Sequence, residues 1–245
     1  MRAWLLPENI EDVLPPQAWK LESLRRDMLD LFRARGYELV IPPLIEYVDS
    51  LLTGSGSDLD LKTFKLVDQL TGRMMGVRAD MTPQVARIDA HLLGHNAVNR
   101  LCYAGSVLHA TPDGVYHSRE PMQIGAEIYG VSDASADLEI LQLMLDALKS
   151  AGSGELQLDV GHVGIFRALA QEAALPPEQE AALFRALQDK AGDDVKTLCG
   201  GLDPALAQAM FALTQLYGSA EVLHKARASL PQMPQILAAL DTLSM

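Results

Sequence analysis

A polar hairpin stands out in the middle of the chain, in the segment VLHATPDGVYHSREPMQIGAEIYG from Val107 to Gly130. It carries Arg119, Gln123 and Glu127 among apolar residues that favour strands. Gln123 and Glu127 are four residues apart, so on a β-strand their side chains point to the same face of the sheet. An amide and a carboxylate on one face can hold a small polar molecule. The segment therefore predicts a β-hairpin with a wide loop and a binding pocket.

Helices and short strands must position this hairpin. Apolar residues recur at helical spacing from Pro16 to Arg35, and the segment TFKLVDQLTGRMMGVRAD predicts two strands joined by a turn. A helix is predicted with Thr82 as its N-cap and Pro83 as its first residue. The segment ELQLDVGHVGIF predicts a strand that leads into a helix.

Strand pairs joined by short turns outnumber βαβ crossovers in this pattern. The sequence therefore predicts an α+β fold in which helices flank an antiparallel sheet. It contains neither a GxGxxG nor a P-loop motif. From about residue 165 the chain becomes rich in alanine and leucine at helical spacing. We divide it into a core of residues 1–164 and a mostly helical part of residues 165–245.

The charge balance limits the classes of partner. The chain of 245 residues has a formal net charge of -12 and a pI of about 4.8, without a run of Lys or Arg. Such a surface repels phosphate groups, so we expect neither a nucleic acid nor a membrane as partner. Two cysteines without CxxC spacing indicate a reduced, cytoplasmic protein. His109 and His117 flank the hairpin loop without a suitably spaced third ligand, so we expect no metal and no cofactor.

Three segments resemble, in this order, the core of class II aminoacyl-tRNA synthetases of the histidyl type. AWKLESLRRDMLDLFRARGYELVIPPLIEY resembles motif 1, which forms the dimer interface in that family. Arg78–Thr82 stands where the family has Arg-Pro-Glu-Gly-Thr, and the polar hairpin resembles motif 2. The resemblance implies that the ligand is free histidine. The histidine-binding residues that it implies are Asp80, Thr82, Arg119, Gln123 and Glu127.

Three of these residues also have a plainer interpretation. Asp80 precedes Thr82 and Pro83, where the dipole of a helix N-terminus favours a carboxylate without any ligand. Glu127 could be a strand residue that faces solvent, and Arg119 could be an exposed loop charge. The shared motif context favours the pocket over these separate roles.

Departures from the active synthetases indicate that the chain has no catalytic residue. Motif 2 of an active enzyme carries an arginine that holds the α-phosphate while the adenylate forms, and His109 occupies that position here. A neutral imidazole cannot replace a permanently charged guanidinium at a developing negative charge. No glycine-rich motif 3 ending in arginine and no anticodon-binding domain follows before Met245.

The segments VRADMTPQVARI and GGLDPALAQAMFALTQLYG resemble more closely a non-catalytic branch, the regulatory subunits of ATP phosphoribosyltransferase. That resemblance implies a subunit that activates the short-form catalytic subunit and takes part in feedback control of histidine biosynthesis by histidine. A homodimeric core built by residues 16–43 is expected within the resulting hetero-oligomer. Two other functions stay open: a histidine-activating enzyme related to histidyl-tRNA synthetase, and a scaffold that binds no small molecule.

Overall fold

The structure, a computed structural model, describes residues 4–53, 57–94, 97–112, 114 and 117–245. The chain divides into two compact units, Met1–Leu156 and Gln157–Met245. The division thus falls after Leu156, whereas the sequence pattern placed it after residue 164. Among the described residues, no helix combines the length and the apolar character needed to cross a bilayer.

The first unit alternates helices with short strands. Its elements are α1 (Gln17–Ala34), β1 (Glu38–Leu39), β2 (Ile45–Tyr47), α2 (Val48–Leu51), α3 (Ser57–Lys62), β3 (Phe64–Val67), β4 (Met74–Val77), α4 (Thr82–Ile88), a π-helical turn (Asp89–Leu93), β5 (Asn99–Ser106), β6 (Met122–Tyr129) and α5 (Ala134–Ser150). Helix α1 ends as the periodicity predicts, because Gly36, which follows the C-cap Arg35, takes a left-handed conformation with φ at 86°.

The strands form two three-stranded sheets. One has the order β1-β5-β6 and the other β2-β4-β3. The β3–β4 and β5–β6 pairs are antiparallel hairpins, as the turn signals predict. β1 lies parallel to β5, and the long connection through the second sheet and α4 provides the crossover that a parallel pair requires. The α+β class is confirmed, with this one parallel pair in a sheet expected to be antiparallel.

The segment Val107–Ala110 connects the two sheets. Its odd-numbered amides donate to the carbonyl oxygens of Pro121 and Arg119, at 3.1 and 2.8 Å. Its even-numbered amides donate to the carbonyl oxygens of Arg78 and Lys62, at 2.9 and 2.8 Å. Successive amides of an extended chain point in opposite directions, so this short segment is bound on both sides like a central strand.

The two faces of the β5–β6 hairpin have different environments. Even-numbered residues of β6 pack against α1 and α5 in an apolar cluster. The members of that cluster are Phe32, Tyr37, Cys102 and Leu143, with Leu29, Leu31, Ile124, Ala126, Ile128, Ile140 and Ala147 packed around them. Odd-numbered residues of β6 therefore point to the opposite face, and that face carries both Gln123 and Glu127.

Two local expectations are wrong. The N-cap of α4 is Met81, so Thr82 is the first helical residue, and its amide donates to Asp80 Oδ1 at 2.9 Å. The segment of residues 155–160 pairs with no strand in the described part of the chain, and helix begins only at Val163. Alternation of apolar residues marks a segment that suits a strand, but a strand also needs a partner backbone.

The second unit is an array of helices around one apolar core. Its elements are α6 (Val163–Glu172), α7 (Pro177–Gln188), α8 (Gly192–Leu198), α9 (Pro204–Leu213), α10 (Val222–Ser229) and α11 (Pro234–Leu243). The side chains of Leu169, Leu183, Val195, Met210 and Ile236 are all completely buried there. Each of the longer helices buries one apolar stripe, as the alanine- and leucine-rich pattern predicts.

Candidate ligand-binding site

The floor of the site is the odd-numbered face of β6, together with Tyr103 on β5. Tyr103 is buried and lies directly opposite Gly125 in the antiparallel register. A Cβ atom on Gly125 would lie 2.4 Å from the Tyr103 hydroxyl, so only glycine lets the ring cross the strand here. The Tyr103 hydroxyl reaches Thr82 Oγ1 at 3.1 Å and so joins the sheet to the start of α4.

Asp80 and Gln123 are joined side chain to side chain. Gln123 Nε2 donates to Asp80 Oδ1 at 2.7 Å, and Gln123 Oε1 accepts from the amide of Met81 at 2.9 Å. Asp80 Oδ1 also accepts from the amide of Thr82, the first residue of α4. The carboxylate therefore also stabilises the N-terminus of this helix, as the plainer interpretation of Asp80 expects. The same bonds hold it against the sheet face that carries Glu127.

Glu127 is a half-buried carboxylate with one unsatisfied oxygen. Its Oε2 accepts from the hydroxyl of Tyr129, whereas no group in the described part of the chain donates to the buried Oε1. Burial raises the pKa of Glu127, and the nearby charge of Asp80 adds to the rise, although neighbouring hydroxyl groups oppose it. A buried acceptor without a donor is costly, so this atom suits a ligand that brings an N–H group or a positive charge.

Arg119 lies apart from these residues, at the open end of the hairpin. Its Nε donates to the carbonyl of His109 at 3.0 Å, and Nη1 donates to the carbonyl of Glu8 at 3.3 Å. The guanidinium also stacks over the ring of Phe64, 4.9 Å from the ring centre. The structure therefore brings together Asp80, Thr82, Gln123 and Glu127, and places Arg119 on backbone carbonyls. Arg119 is half-buried, so it is not the exposed loop charge of the plainer interpretation.

His109, which the resemblance to motif 2 aligns with the synthetase arginine, donates to the backbone. Its Nε2 lies 3.1 Å from the carbonyl oxygen of Ala79, and because a carbonyl can only accept, the ring nitrogen is the donor. The imidazole thus contacts the residue that precedes Asp80.

Sequence reasoning missed the aromatic part of the site and a buried arginine. The β5–β6 register shows that Tyr103 and Tyr129 lie on the same face as Glu127. For Tyr129 the sequence carried a signal, because it follows Glu127 at the two-residue spacing of one strand face. Arg78 is buried, and it donates to the carbonyls of Ser106 and Pro42 at 2.9 and 2.7 Å. Burial lowers the pKa of Arg78. The sequence Arg-Ala-Asp does not reveal whether Arg78 binds two backbone carbonyls in the interior or forms an ion pair at the surface.

These features define the class of protein. Residues 9–245 match the family model described as histidyl-tRNA synthetase. A crystal structure from Bacillus halodurans, described as an ATP phosphoribosyltransferase regulatory subunit/histidyl-tRNA synthetase, superposes with a TM-score of 0.87 at 29% identity. The superposition covers 100% of this chain and 63% of that one. The fold is that of the class II synthetases of the histidyl type, as the motifs predicted.

Curated relatives narrow the class further. An ATP phosphoribosyltransferase regulatory subunit of Thiobacillus denitrificans is 68% identical over 243 residues, which cover 99% of this chain and 76% of the relative. That of Ralstonia nicotianae is 58% identical over 244 residues, which cover 100% of this chain and 63% of the relative. The chain belongs to the family of ATP phosphoribosyltransferase regulatory subunits, and it spans 76% and 63% of the lengths of these two relatives.

Proposed function

We propose that the chain is a non-catalytic regulatory subunit that activates the short-form ATP phosphoribosyltransferase catalytic subunit and conveys inhibition by histidine. The observation that carries this proposal is the 68% identity to a relative of that name over nearly the whole chain. His109 at the phosphate-binding position of motif 2 supports the lack of chemistry. The net charge of -12 supports a subunit that binds neither nucleic acid nor membrane, and two cysteines without CxxC spacing support a cytoplasmic location.

The ligand that we propose for the site is free histidine. Its ammonium and imidazole groups offer the N–H donors that Glu127 Oε1 lacks, and Asp80 adds a second negative charge nearby. Gln123 and Thr82 line the same face as fixed polar groups. The unsatisfied carboxylate oxygen supports a pocket, because a buried carboxylate oxygen is usually paired and this one lies on the same sheet face as Gln123.

We also propose that residues 16–43 pair with a second copy of the chain. β1 is an edge strand of its sheet, and an open edge needs to be covered. Apolar side chains on and next to this segment face outward, among them Trp19 at 69% and Ile41 at 84% exposure. An apolar surface around an open strand edge suits a symmetric dimer contact.

The proposed activation is tested with the purified catalytic subunit. Adding this chain should raise the rate of phosphoribosyl transfer, and adding histidine should then lower it. A histidyl-tRNA synthetase of the same fold serves as the matched control and should change neither rate. If sedimentation shows that the two proteins form a complex while the rate stays that of the catalytic subunit alone, the activating role is wrong.

The absence of adenylate chemistry gives a separate prediction. ATP–pyrophosphate exchange in the presence of histidine should stay at background for the wild-type chain. The variant His109→Arg should not restore exchange, because one guanidinium supplies only part of the charge that stabilises adenylate formation. Exchange at the rate of a matched active synthetase would instead favour the second candidate function, a histidine-activating enzyme.

A further inference from the structure

The N-terminal segment of residues 7–10, here called the strap, forms a turn that contacts the open end of the β5–β6 hairpin through Glu8 and Asn9. The carbonyl of Asn9 accepts from the amide of Arg119 at 2.8 Å, and Asn9 Nδ2 donates to the carbonyl of His117 at 3.2 Å. The carbonyl of Glu8 accepts from Arg119 Nη1 at 3.3 Å. The strap is therefore bound to the hairpin through both its backbone and a side chain.

Arg119 joins the strap to the hairpin backbone. Its carbonyl oxygen accepts from the amide of His109 at 2.8 Å, while its Nε donates to the carbonyl of His109 at 3.0 Å. With Nη1 on the strap and the planar group over Phe64, the guanidinium faces protein groups on several sides. These contacts indicate that Arg119 positions its neighbours and does not reach a ligand.

His109 continues the connection to the pocket. Its ring donates to the carbonyl of Ala79, and the next residue along the chain is Asp80. Asp80 Oδ1 accepts from Gln123 Nε2 and from the amide of Thr82. Hydrogen bonds thus run from the strap, through the side chains of Arg119 and His109, to the carbonyl of Ala79, and the peptide link to Asp80 completes the connection to the candidate site.

We propose that the strap sets the geometry of the pocket and that Arg119 is its positioning residue rather than a ligand contact. While the strap is bound, His109 holds Ala79 in place, and the first turn of α4 keeps Asp80 and Thr82 against the sheet. When the strap is released, that turn loosens and the pocket loses its arrangement. The effect on ligand affinity rests on the proposed histidine site, whereas the structural coupling does not.

The conformation of Asn9 provides a matched pair of variants. Its φ is 60°, a left-handed value that glycine adopts freely and a β-branched residue does not. Asn9→Gly removes the side-chain bond to His117 but keeps the backbone path of the strap. Asn9→Val opposes that path and should release the strap. Arg119→Met removes the guanidinium bonds directly and serves as a second, independent variant.

Hydrogen exchange measured amide by amide on the whole chain tests the coupling. In Asn9→Val we expect the amide of Arg119, and with it those of Met81 and Thr82, to exchange about five- to thirtyfold faster, which is the cost of a left-handed β-branched residue. Asn9→Gly should stay within about twofold of wild type. The amide of Asp68, which donates to the carbonyl of Arg73 in the β3–β4 hairpin, should not change and reports an intact fold.

Unchanged exchange of Met81 and Thr82 in both Asn9→Val and Arg119→Met would overturn the proposal, because the strap would then be only a local tether. Calorimetry with free histidine gives the second readout, in which Asn9→Val and Arg119→Met should weaken binding and Asn9→Gly should not. If the wild-type chain binds no histidine, the proposed ligand is wrong, while the exchange of Met81 and Thr82 still decides whether the strap controls the pocket.

Discussion

Glu127→Ala is expected to weaken the binding of free histidine about ten- to a hundredfold, since a charge-assisted hydrogen bond is worth roughly 1.5–3 kcal/mol. Titration calorimetry measures the loss. Glu139→Ala is the matched control. Glu139 is also a carboxylate that accepts from a tyrosine hydroxyl, but its partners, Arg100 and Tyr37, do not belong to the candidate site. This control variant should leave the affinity unchanged. If Glu127→Ala and Gln123→Ala both bind histidine as wild type does, the site inferred from the synthetases is wrong.

The same substitution should separate binding from activation. A ligand regulates only if it prefers one state of the assembly over another. Glu127→Ala should therefore blunt the inhibition by histidine in the mixed complex while it leaves the activation of the catalytic subunit largely intact. Equal loss of both effects would indicate that the substitution had damaged the fold rather than the pocket.

Glu127→Gln adds a test that depends on pH. Burial raises the pKa of Glu127, so between the ordinary and the raised value the folded chain holds a proton that the unfolded chain has lost. The stability that this group contributes is present at low pH and is lost as the pH rises through the raised pKa. Relative to wild type, Glu127→Gln should thus gain stability with rising pH across that window, in thermal unfolding followed at several pH values. A difference that does not vary with pH would contradict a buried, ionising carboxyl group.

Arg78→Ala is expected to lower the free energy of unfolding by about 2–4 kcal/mol, because the carbonyls of Pro42 and Ser106 both lose a charged donor. Arg78→Lys should recover only part of this loss, since one ammonium group cannot reproduce a planar fork that spans two acceptors. Urea unfolding followed by circular dichroism measures each variant.

Arg73→Ala is the matched control for Arg78. Arg73 lies at the same β3–β4 hairpin, but its side chain is 56% exposed and stacks on Tyr47. Its removal should cost no more than about 0.5–1 kcal/mol. If the two alanine variants unfold at the same urea concentration, the two carbonyls in contact with Arg78 do not need its guanidinium.

Local patterns predicted the elements that depend on near neighbours. The helix after Pro16 and the β3–β4 turn follow from apolar spacing and from a glycine at the turn, where Gly72 has a φ of 72°. The parallel pairing of β1 with β5 could not be predicted in this way, because it joins residues far apart in sequence. Residues 155–160 show the opposite case, a strand-like pattern for which the described chain supplies no partner strand.

The candidate site follows the same division. The four-residue spacing correctly placed Gln123 and Glu127 on one face, because that face depends on a single strand. The position of Tyr103 over Gly125 depends on the cross-strand register, which the length of the loop alone does not reveal. Arg119 belongs to the predicted set by family resemblance, yet its bonds to Glu8 and Asn9 depend on where the N-terminal segment lies, and no pattern in the sequence indicates that.

The segment Val107–Ala110 also limits how this hairpin can vary in length. Its odd-numbered amides donate to the segment that leads into β6, whereas its even-numbered amides donate to Arg78 after β4 and Lys62 at the end of α3. Inserting or deleting one residue would exchange the two assignments, so that every donor would face the wrong acceptor. Grafts and tags between Val107 and Ala110 should therefore disturb the fold more than those placed beyond Ala110.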